Sequence, residues 1–174
     1  MIWMDVFIAL IMIIIAIVDW RHKYIYTVHL IIAFALVMLH HLGLDYSSYF
    51  LGATAGFLIG YVIYKIALWY YKTEAFGFGD VLLLGVLGFY FGWPSFIHYF
   101  SITYLLVGLL SLCSLIFISW SKLRTINMPM APVYVAGAFI FKFWGCPTLQ
   151  NAYYDICIYI SAAIYKATMF FVLL

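Results

Sequence analysis

Charged residues are scarce in this sequence. Only 8% of its 174 residues are Asp, Glu, Lys or Arg, whereas 69% are hydrophobic. A soluble domain is about a quarter charged and about half apolar, so the composition excludes an ordinary water-soluble protein and indicates an integral membrane protein. The formal net charge of +2 is too small to indicate a nucleic-acid-binding protein.

Cysteine is also rare, and its spacing excludes two kinds of site. Cys113, Cys146 and Cys157 form no Cys-x-x-Cys pair, so the sequence predicts neither a cysteine zinc site nor a disulfide framework. The histidines do not indicate a metal site either, because the adjacent His40 and His41 are expected to point to different sides of a helix. No glycine-rich loop has the phosphate-binding form. We therefore expect no metal and no cofactor.

Long apolar runs separated by short polar links organise the chain. They predict an all-α, polytopic membrane helix bundle with six or seven transmembrane helices, forming a single domain over residues 1–174. The first run lacks a basic leader region and a small-residue cleavage site, so it is expected to be an uncleaved helix. The predicted helices cover residues 3–18, 25–42, 49–71, 80–92, 97–120, 133–144 and 152–174. The third carries a stripe of small residues that allows close helix approach: Gly52, Ala53, Gly56 and Gly60.

The basic residues indicate the orientation of the bundle. Most of them fall in or near three alternate links: Arg21, Lys23, Lys65, Lys72, Lys122 and Arg124. The opposite links carry Asp45 and Asp155. Because cytoplasmic links are enriched in Lys and Arg, we expect the N-terminus to lie outside and the basic links to lie in the cytoplasm. Lys142 and Lys166 fit this pattern less well.

Two carboxylates lie at the ends of apolar runs on the same predicted side. Asp19 follows the first run, and Asp80 precedes the fourth. A charged residue at the edge of a bilayer is expensive, so its default interpretation is functional. Two neighbouring carboxylates cannot both ionise easily, and an acid beside an anion can activate a water and protonate a leaving amine. The structural alternatives are a helix cap at Asp80 and an interfacial charge at Asp19, near Arg21 and Lys23.

The segments around these acids resemble a known signature. Glu74–Val81, of sequence EAFGFGDV, is similar to the Gly-x-Gly-Asp motif of the type IV prepilin peptidases, which are membrane aspartic proteases. Asp19–Ile25, which contains Asp-x-Arg-x-x-x-Ile, resembles the first aspartate motif of that family. Met128–Pro132, of sequence MPMAP, resembles its later Pro-x-x-Pro segment. The motifs occur in the family order, and the resemblance covers roughly residues 18–138.

The resemblance implies an activity, a substrate and a set of site residues. Asp19 and Asp80 would be the catalytic pair of an aspartic endopeptidase, and Gly77 and Gly79 would shape the active-site loop. Further residues would support the site or contact the substrate: Arg21, Glu74, Pro129 and Pro132. The implied substrate is a prepilin or pseudopilin of a type IV pilus or secretion system. Its short basic leader would be removed at the cytoplasmic face of a bacterial or archaeal cytoplasmic (inner) membrane.

The sequence also departs from the family pattern. The first motif of the family commonly continues Ile-Pro-Asn, whereas this chain has Ile25, Tyr26 and Thr27. A Lys usually follows the Asp-Val of the second motif, whereas this chain has Leu82. Many members also carry an N-terminal extension with paired cysteines and methyltransferase activity. Without it, the resemblance implies cleavage without methylation, or methylation by another protein.

Three other functions remain open from the sequence. A transporter or proton channel would relay protons or ions through Asp19 and Asp80, although such proteins have broken helices in two corresponding halves. An inactive scaffold subunit of a pilus or secretion machine is compatible with Tyr26 and Leu82. The signal-peptide-peptidase branch of Gly-x-Gly-Asp proteases has a Tyr before its first Asp, where this chain has Val18.

Overall fold

The computed structural model describes residues 2–44, 46–72, 76–117 and 129–144, and within them all regular structure is helical. The helices are α1 (Ile2–His22), α2 (Thr27–His40), α3 (Ser47–Tyr71), α4 (Phe78–Phe91), α5 (Ser95–Phe117) and α6 (Ala131–Trp144). Three of them are long and apolar enough to cross a membrane: Trp3–His22, Ser47–Tyr70 and Ser95–Cys113. The protein is therefore an all-α membrane helix bundle, as predicted.

The chain divides into two compact units, Met1–Phe139 and Ile140–Leu174. Of the second unit, only the last turn of α6 is described. The predicted seventh helix lies outside the described residues, as do four charged residues: Asp45, Glu74, Lys122 and Arg124. The number of spans, the single domain and the outside N-terminus stay predictions.

The helix pair α3–α4 is held together by backbone contact. A Cβ added at Gly52 would collide with the carbonyl of Gly88, and one added at Gly56 would collide with the carbonyl of Leu84. These two helices can lie this close only because both positions are glycine, so the predicted small-residue stripe is confirmed. The contacts also show that α3 and α4 are antiparallel, because Gly60 meets Val81 near the start of α4.

Several helix ends differ from the predicted ones by one to four residues, and two of these changes bear directly on the acids. Helix α1 continues through Asp19 to His22, because nothing in this stretch breaks a helix, and it ends at Lys23 in a left-handed conformation (φ 53°). Helix α4 starts at Phe78 rather than at Asp80. Each acid therefore lies within a terminal helical turn, where the backbone holds it in place.

Aromatic side chains build part of the core. Some rings are exposed, among them Trp3 and Trp69, as is common for aromatic residues that face lipid or the membrane interface. Another set of rings is fully buried: Phe89, Phe96, Tyr99 and Tyr134. Tyr99 of α5 stacks on Phe91 of α4 with ring centroids 4.8 Å apart. These rings join α4, α5 and the first turns of α6.

A polar cluster closes the end of the bundle opposite Asp19. The Tyr90 hydroxyl donates to Asp5 Oδ1 over 2.9 Å, and His40 Nε2 lies 3.2 Å from the same oxygen. The rings of His40 and His41 touch, with centroids 4.8 Å apart. The expectation that these two rings point to different sides is wrong, because His41 is the C-cap residue beyond the last turn of α2. The cluster ties α1, α2 and α4 together.

Candidate active site

Asp19 and Asp80 come from different helices and are buried at the same end of the bundle. Asp19 lies in the last turn of α1 and is 5% exposed, while Asp80 lies in the first turn of α4 and is 8% exposed. The two carboxylates are close enough for the charge of Asp19 to act on Asp80. Two like charges sharing a buried site repel each other, so this arrangement favours one proton held between the two acids.

A backbone amide at the start of α6 contacts Asp19. The N–H of Ala131 donates to Asp19 Oδ2 over 3.0 Å, and the bond is buried. Ala131 is the first residue of α6, so its N–H has no partner inside the helix. It also lies at the positive end of the helix dipole. This donor stabilises a negative charge on Asp19.

Ala131 lies within the Pro129–Pro132 segment, so its bond to Asp19 brings this segment into the site. Both prolines flank Ala131 and are partly buried. Proline is well tolerated in the first turn of a helix, where its missing N–H breaks no helical bond. Of the predicted residues, these two are brought next to Asp19 through the amide that lies between them.

The backbone of the Gly-x-Gly segment holds Asp80. The Asp80 N–H donates to the carbonyl of Gly77 over 3.1 Å, and the N–H of Gly77 donates to the Asp80 carboxylate. The other oxygen, Asp80 Oδ1, is buried and has no hydrogen-bond partner among the described residues. A buried carboxylate oxygen without a partner is costly, so Oδ1 is the atom of this pair that is ready for a proton, a water or a substrate.

The two glycines provide space rather than an unusual backbone conformation. Gly77 has φ −73° and ψ 141°, which any residue can adopt. A Cβ at Gly79 would instead lie 2.9 Å from the Cβ of Ile25, closer than such atoms approach. Gly79 therefore lets α4 begin directly against the segment that links α1 to α2.

Two tyrosines near Asp80 were missed by the sequence analysis. Tyr104 of α5 and Tyr134 of α6 have hydroxyl oxygens 3.4 Å apart, and both interact electrostatically with Asp80. Tyr134 is 1% exposed and lies one turn beyond Ala131. That spacing from the Pro-x-x-Pro segment was the available signal, because residues one turn apart share a helix face.

The remaining predicted residues lie apart from the buried pair or cannot be placed. Arg21 is exposed at the end of α1, and Glu74 lies outside the described residues. Within those residues, no group of three or more His, Cys, Asp or Glu side chains is arranged to hold a metal ion.

An apolar cavity of about 630 Å³ lies between α2 and α3 and against α4. Its α4 lining consists of Leu82, Gly85 and Val86. At about 100° per residue, these positions lie on the face of α4 opposite Asp80. The cavity also includes Thr27, so two of the positions that depart from the resembled motifs line it. It is separate from the acid pair.

Comparison with known proteins identifies the family of the chain. The sequence model of the type IV leader peptidase family matches residues 6–112. No curated protein and no solved structure matches the chain. The matched region contains both Asp19 and Asp80, whereas Ala131 lies beyond it. Because the match covers more than half of the 174 residues, the protein belongs to the type IV leader peptidase family.

Proposed function

We propose that this protein is a membrane aspartic endopeptidase with Asp19 and Asp80 as its catalytic pair. Its substrates would be type IV prepilins or pseudopilins, from which it removes the short basic leader. The observation that carries the proposal is the pairing of two buried carboxylates from separate helices, close enough to act on each other. Family membership supports a peptidase, and the buried pair supports acid–base catalysis by carboxyl groups.

In the proposed reaction, one carboxyl group of the pair is protonated and the other is anionic. The anion takes a proton from a bound water, and the water oxygen attacks the carbonyl carbon of the scissile bond. The protonated acid gives its proton to the carbonyl oxygen, which forms a tetrahedral diol. The C–N bond then breaks as the nitrogen accepts a proton and a diol hydroxyl returns one to the pair. The products are a carboxylic acid and an amine, and the pair again shares one proton.

We place this reaction at the cytoplasmic face of a bacterial or archaeal cytoplasmic membrane that the protein crosses several times. Exposed basic residues lie at the helix ends beside the acids: Arg21, Lys23 and Lys72. The opposite end is closed by Asp5 and His40. Cytoplasmic ends of membrane helices are enriched in Lys and Arg, so this distribution supports a cytoplasmic position for the acids.

The proposal is tested by co-expressing the protein with a candidate prepilin and following leader removal on a gel. Asp19→Asn and Asp80→Asn should each abolish cleavage, because an amide can neither take a proton from water nor donate an acidic one. Both variants should remain folded in the membrane.

Asp5→Asn is the matched control for this experiment. Asp5 is a carboxylate on the same helix as Asp19, but it belongs to the cluster at the opposite end. We expect this variant to cleave normally. Full processing by either Asp19→Asn or Asp80→Asn would overturn the assignment of the pair.

A further inference from the structure

The apolar cavity between α2 and α3 opens at the side of the bundle. Ile31 of α2 and Leu58 of α3 both line it, and these side chains are 63% and 59% exposed. Because the bundle lies in a membrane, the opening faces the hydrocarbon chains of lipids, where no water is available to fill it. The cavity is therefore suited to an apolar group that the membrane supplies.

The size of the cavity suits part of an acyl chain. Its volume is about 630 Å³, within the roughly 300–1,000 Å³ of typical ligand pockets. Its lining on α2 runs from Thr27 to Phe34, which is about 10 Å along the helix axis. One leaflet contributes about 15 Å of hydrocarbon, half of the bilayer core. A chain that enters at Thr27 would lie in the cavity over most of the depth of its leaflet.

A single cation lies on these helices beyond the cavity. Lys65 is the only Lys or Arg within α2, α3 and α4, and it is exposed. It follows Leu58 by seven residues, so the two side chains share one face of α3, about 10 Å apart along the axis. Because Gly60 meets Val81 near the start of α4, Lys65 lies towards the end of the bundle that carries the acids.

A row of stacked side chains joins Lys65 to the cavity. The Lys65 ammonium lies over the ring of Tyr61, with Nζ 5.4 Å from the ring centroid. The Tyr61 ring is nearly parallel to the ring of Phe57, at 11° and with centroids 6.1 Å apart, and Phe57 lines the cavity. The cation and the apolar cavity are thus two parts of one surface on α3.

Lys65 needs a counter-ion that the described helices do not supply. No carboxylate pairs with it among the described residues. Asp80 is the only acid within α2, α3 and α4, and it is buried on the face of α4 opposite the cavity. A charge within a membrane helix is expensive unless it is paired, so an anion from the membrane would stabilise Lys65.

We propose that a phospholipid binds at this surface, with one acyl chain in the cavity and its phosphate at the Lys65 ammonium. The apolar chain matches the lining of the cavity, and the phosphate matches the charge of the lysine. Basic residues beside membrane helices bind lipid head groups in this way. The site does not depend on the proposed proteolysis, because it is separate from the acid pair.

Native mass spectrometry of the full chain in detergent tests the role of Lys65 with two lipids that share their acyl chains. Phosphatidylglycerol carries a phosphate, and diacylglycerol does not. We expect one phosphatidylglycerol per chain to bind about fivefold more tightly than diacylglycerol, the contribution of one basic residue at a lipid head group. In Lys65→Gln the two lipids should bind equally.

Arg21→Gln is the matched control for charge. Arg21 is also exposed at the end of the bundle that carries the acids, but it lies on α1, which does not line the cavity. This variant should keep the fivefold preference. A preference that persists in Lys65→Gln, or that is lost equally in Arg21→Gln, would overturn the assignment of Lys65 to the phosphate.

Thr54→Phe tests the cavity. Thr54 lines it, and its hydroxyl bonds the carbonyl of Leu51 within the same helix, so the change fills space without removing a bond between helices. Both lipids should bind about tenfold more weakly, the loss of roughly two buried methylene groups. Leu109→Phe adds a ring at an exposed position of α5 outside the cavity and should leave binding unchanged. Melting temperatures in detergent show that both variants are folded.

A photoactivatable phosphatidylglycerol locates the chain in the natural protein, so this result does not depend on any variant. With a diazirine at the end of one acyl chain, cross-linked peptides should contain Ile31, Phe34 or Phe57. Cross-links confined to α1 and α5 would overturn the site, as would equal binding by folded Thr54→Phe and Leu109→Phe. Neither experiment requires cleavage of a prepilin, so failure of this proposal and failure of the proposed function are distinguishable.

Discussion

At the scale of single residues, the donor to Asp19 is a backbone group rather than a side chain. The N–H of Ala131 lies 3.0 Å from Asp19 Oδ2, and substitution of a side chain does not normally remove such a donor. Proline is the exception, because it has no N–H. Ala131 is the first residue of α6, the helical position where proline is best tolerated.

Ala131→Pro should therefore lower cleavage without unfolding α6. Loss of a hydrogen bond to a charged group costs about 1.5–3 kcal/mol, which corresponds to roughly tenfold or more in kcat. Asp19 should then stay protonated to higher pH, so the acid limb of the kcat profile should move upwards. Both quantities are measured with purified protein and a prepilin in detergent.

Ala131→Val is the control for this change. Valine adds the same number of side-chain atoms to the buried position as proline does, but it keeps the N–H. Any loss that comes from crowding should appear in both variants. Equal kcat values and pH profiles in the two would show that the Ala131 amide has no part in the reaction.

The sequence predicted only those parts of the site that consist of charged side chains. Asp19 and Asp80 stood out because charges at the ends of apolar runs are rare. The Ala131 amide could not be predicted in this way, because every residue except proline has a backbone N–H. The sequence analysis missed Tyr104 and Tyr134 for a different reason. Tyrosine is common at membrane interfaces, and only the packing of α5 against α6 distinguishes these two from lipid-facing rings.

At the scale of helices, the approach of α3 to α4 sets the position of Asp80. Gly52→Ala and Gly56→Ala should each push the two helices apart, because the new Cβ would meet the carbonyl of Gly88 or Leu84. Overpacking of this kind costs about 1–3 kcal/mol. We expect lower melting temperatures in detergent, with a parallel loss of cleavage.

Gly108→Ala is the matched control on α5. A Cβ at Gly108 meets nothing within 4 Å, so this variant should be as stable as the natural protein or slightly more so, because Ala favours a helix over Gly. If Gly52→Ala and Gly56→Ala melted at the same temperature as Gly108→Ala, the close backbone contact between α3 and α4 would be disproved.

The helices themselves were largely predictable, and their ends were not. Long apolar runs in a chain with only 8% charged residues predict membrane helices, because a helix satisfies its own backbone hydrogen bonds in lipid. The end of α1 was misplaced because the charged stretch after Val18 was taken as a link, whereas the helix continues to His22. Arg is a good helix former, and Asp, Trp and His cost a helix only a few tenths of a kcal/mol each, up to about 0.7, so the first charge marks the edge of the apolar segment rather than the end of the helix.

At the scale of the whole molecule, the distribution of charge predicts which side of the membrane carries the acids. A cysteine placed at Leu44 should react with a membrane-impermeant maleimide in intact cells. One placed at Lys72 should react only after the membrane is opened. Both positions are exposed, and they lie at opposite ends of the antiparallel bundle.

The labelling is done with Cys113, Cys146 and Cys157 replaced by serine, so that only the introduced thiol reacts. The cysteine-free triple serine variant, with no thiol introduced, is the control for nonspecific labelling. The reverse pattern would place Asp19 and Asp80 on the outer side, and a cytoplasmic leader could then no longer be the proposed substrate.

The bond between Ala131 and Asp19 joins an early part of the chain to a late one. During translation, both acids leave the ribosome before α6 is made. For that interval, the nascent protein holds its two acids without the amide that favours an anion on Asp19. The acid site is therefore completed only after the start of α6 has been made, and a chain stalled before Met130 would carry both aspartate motifs with an unfinished centre.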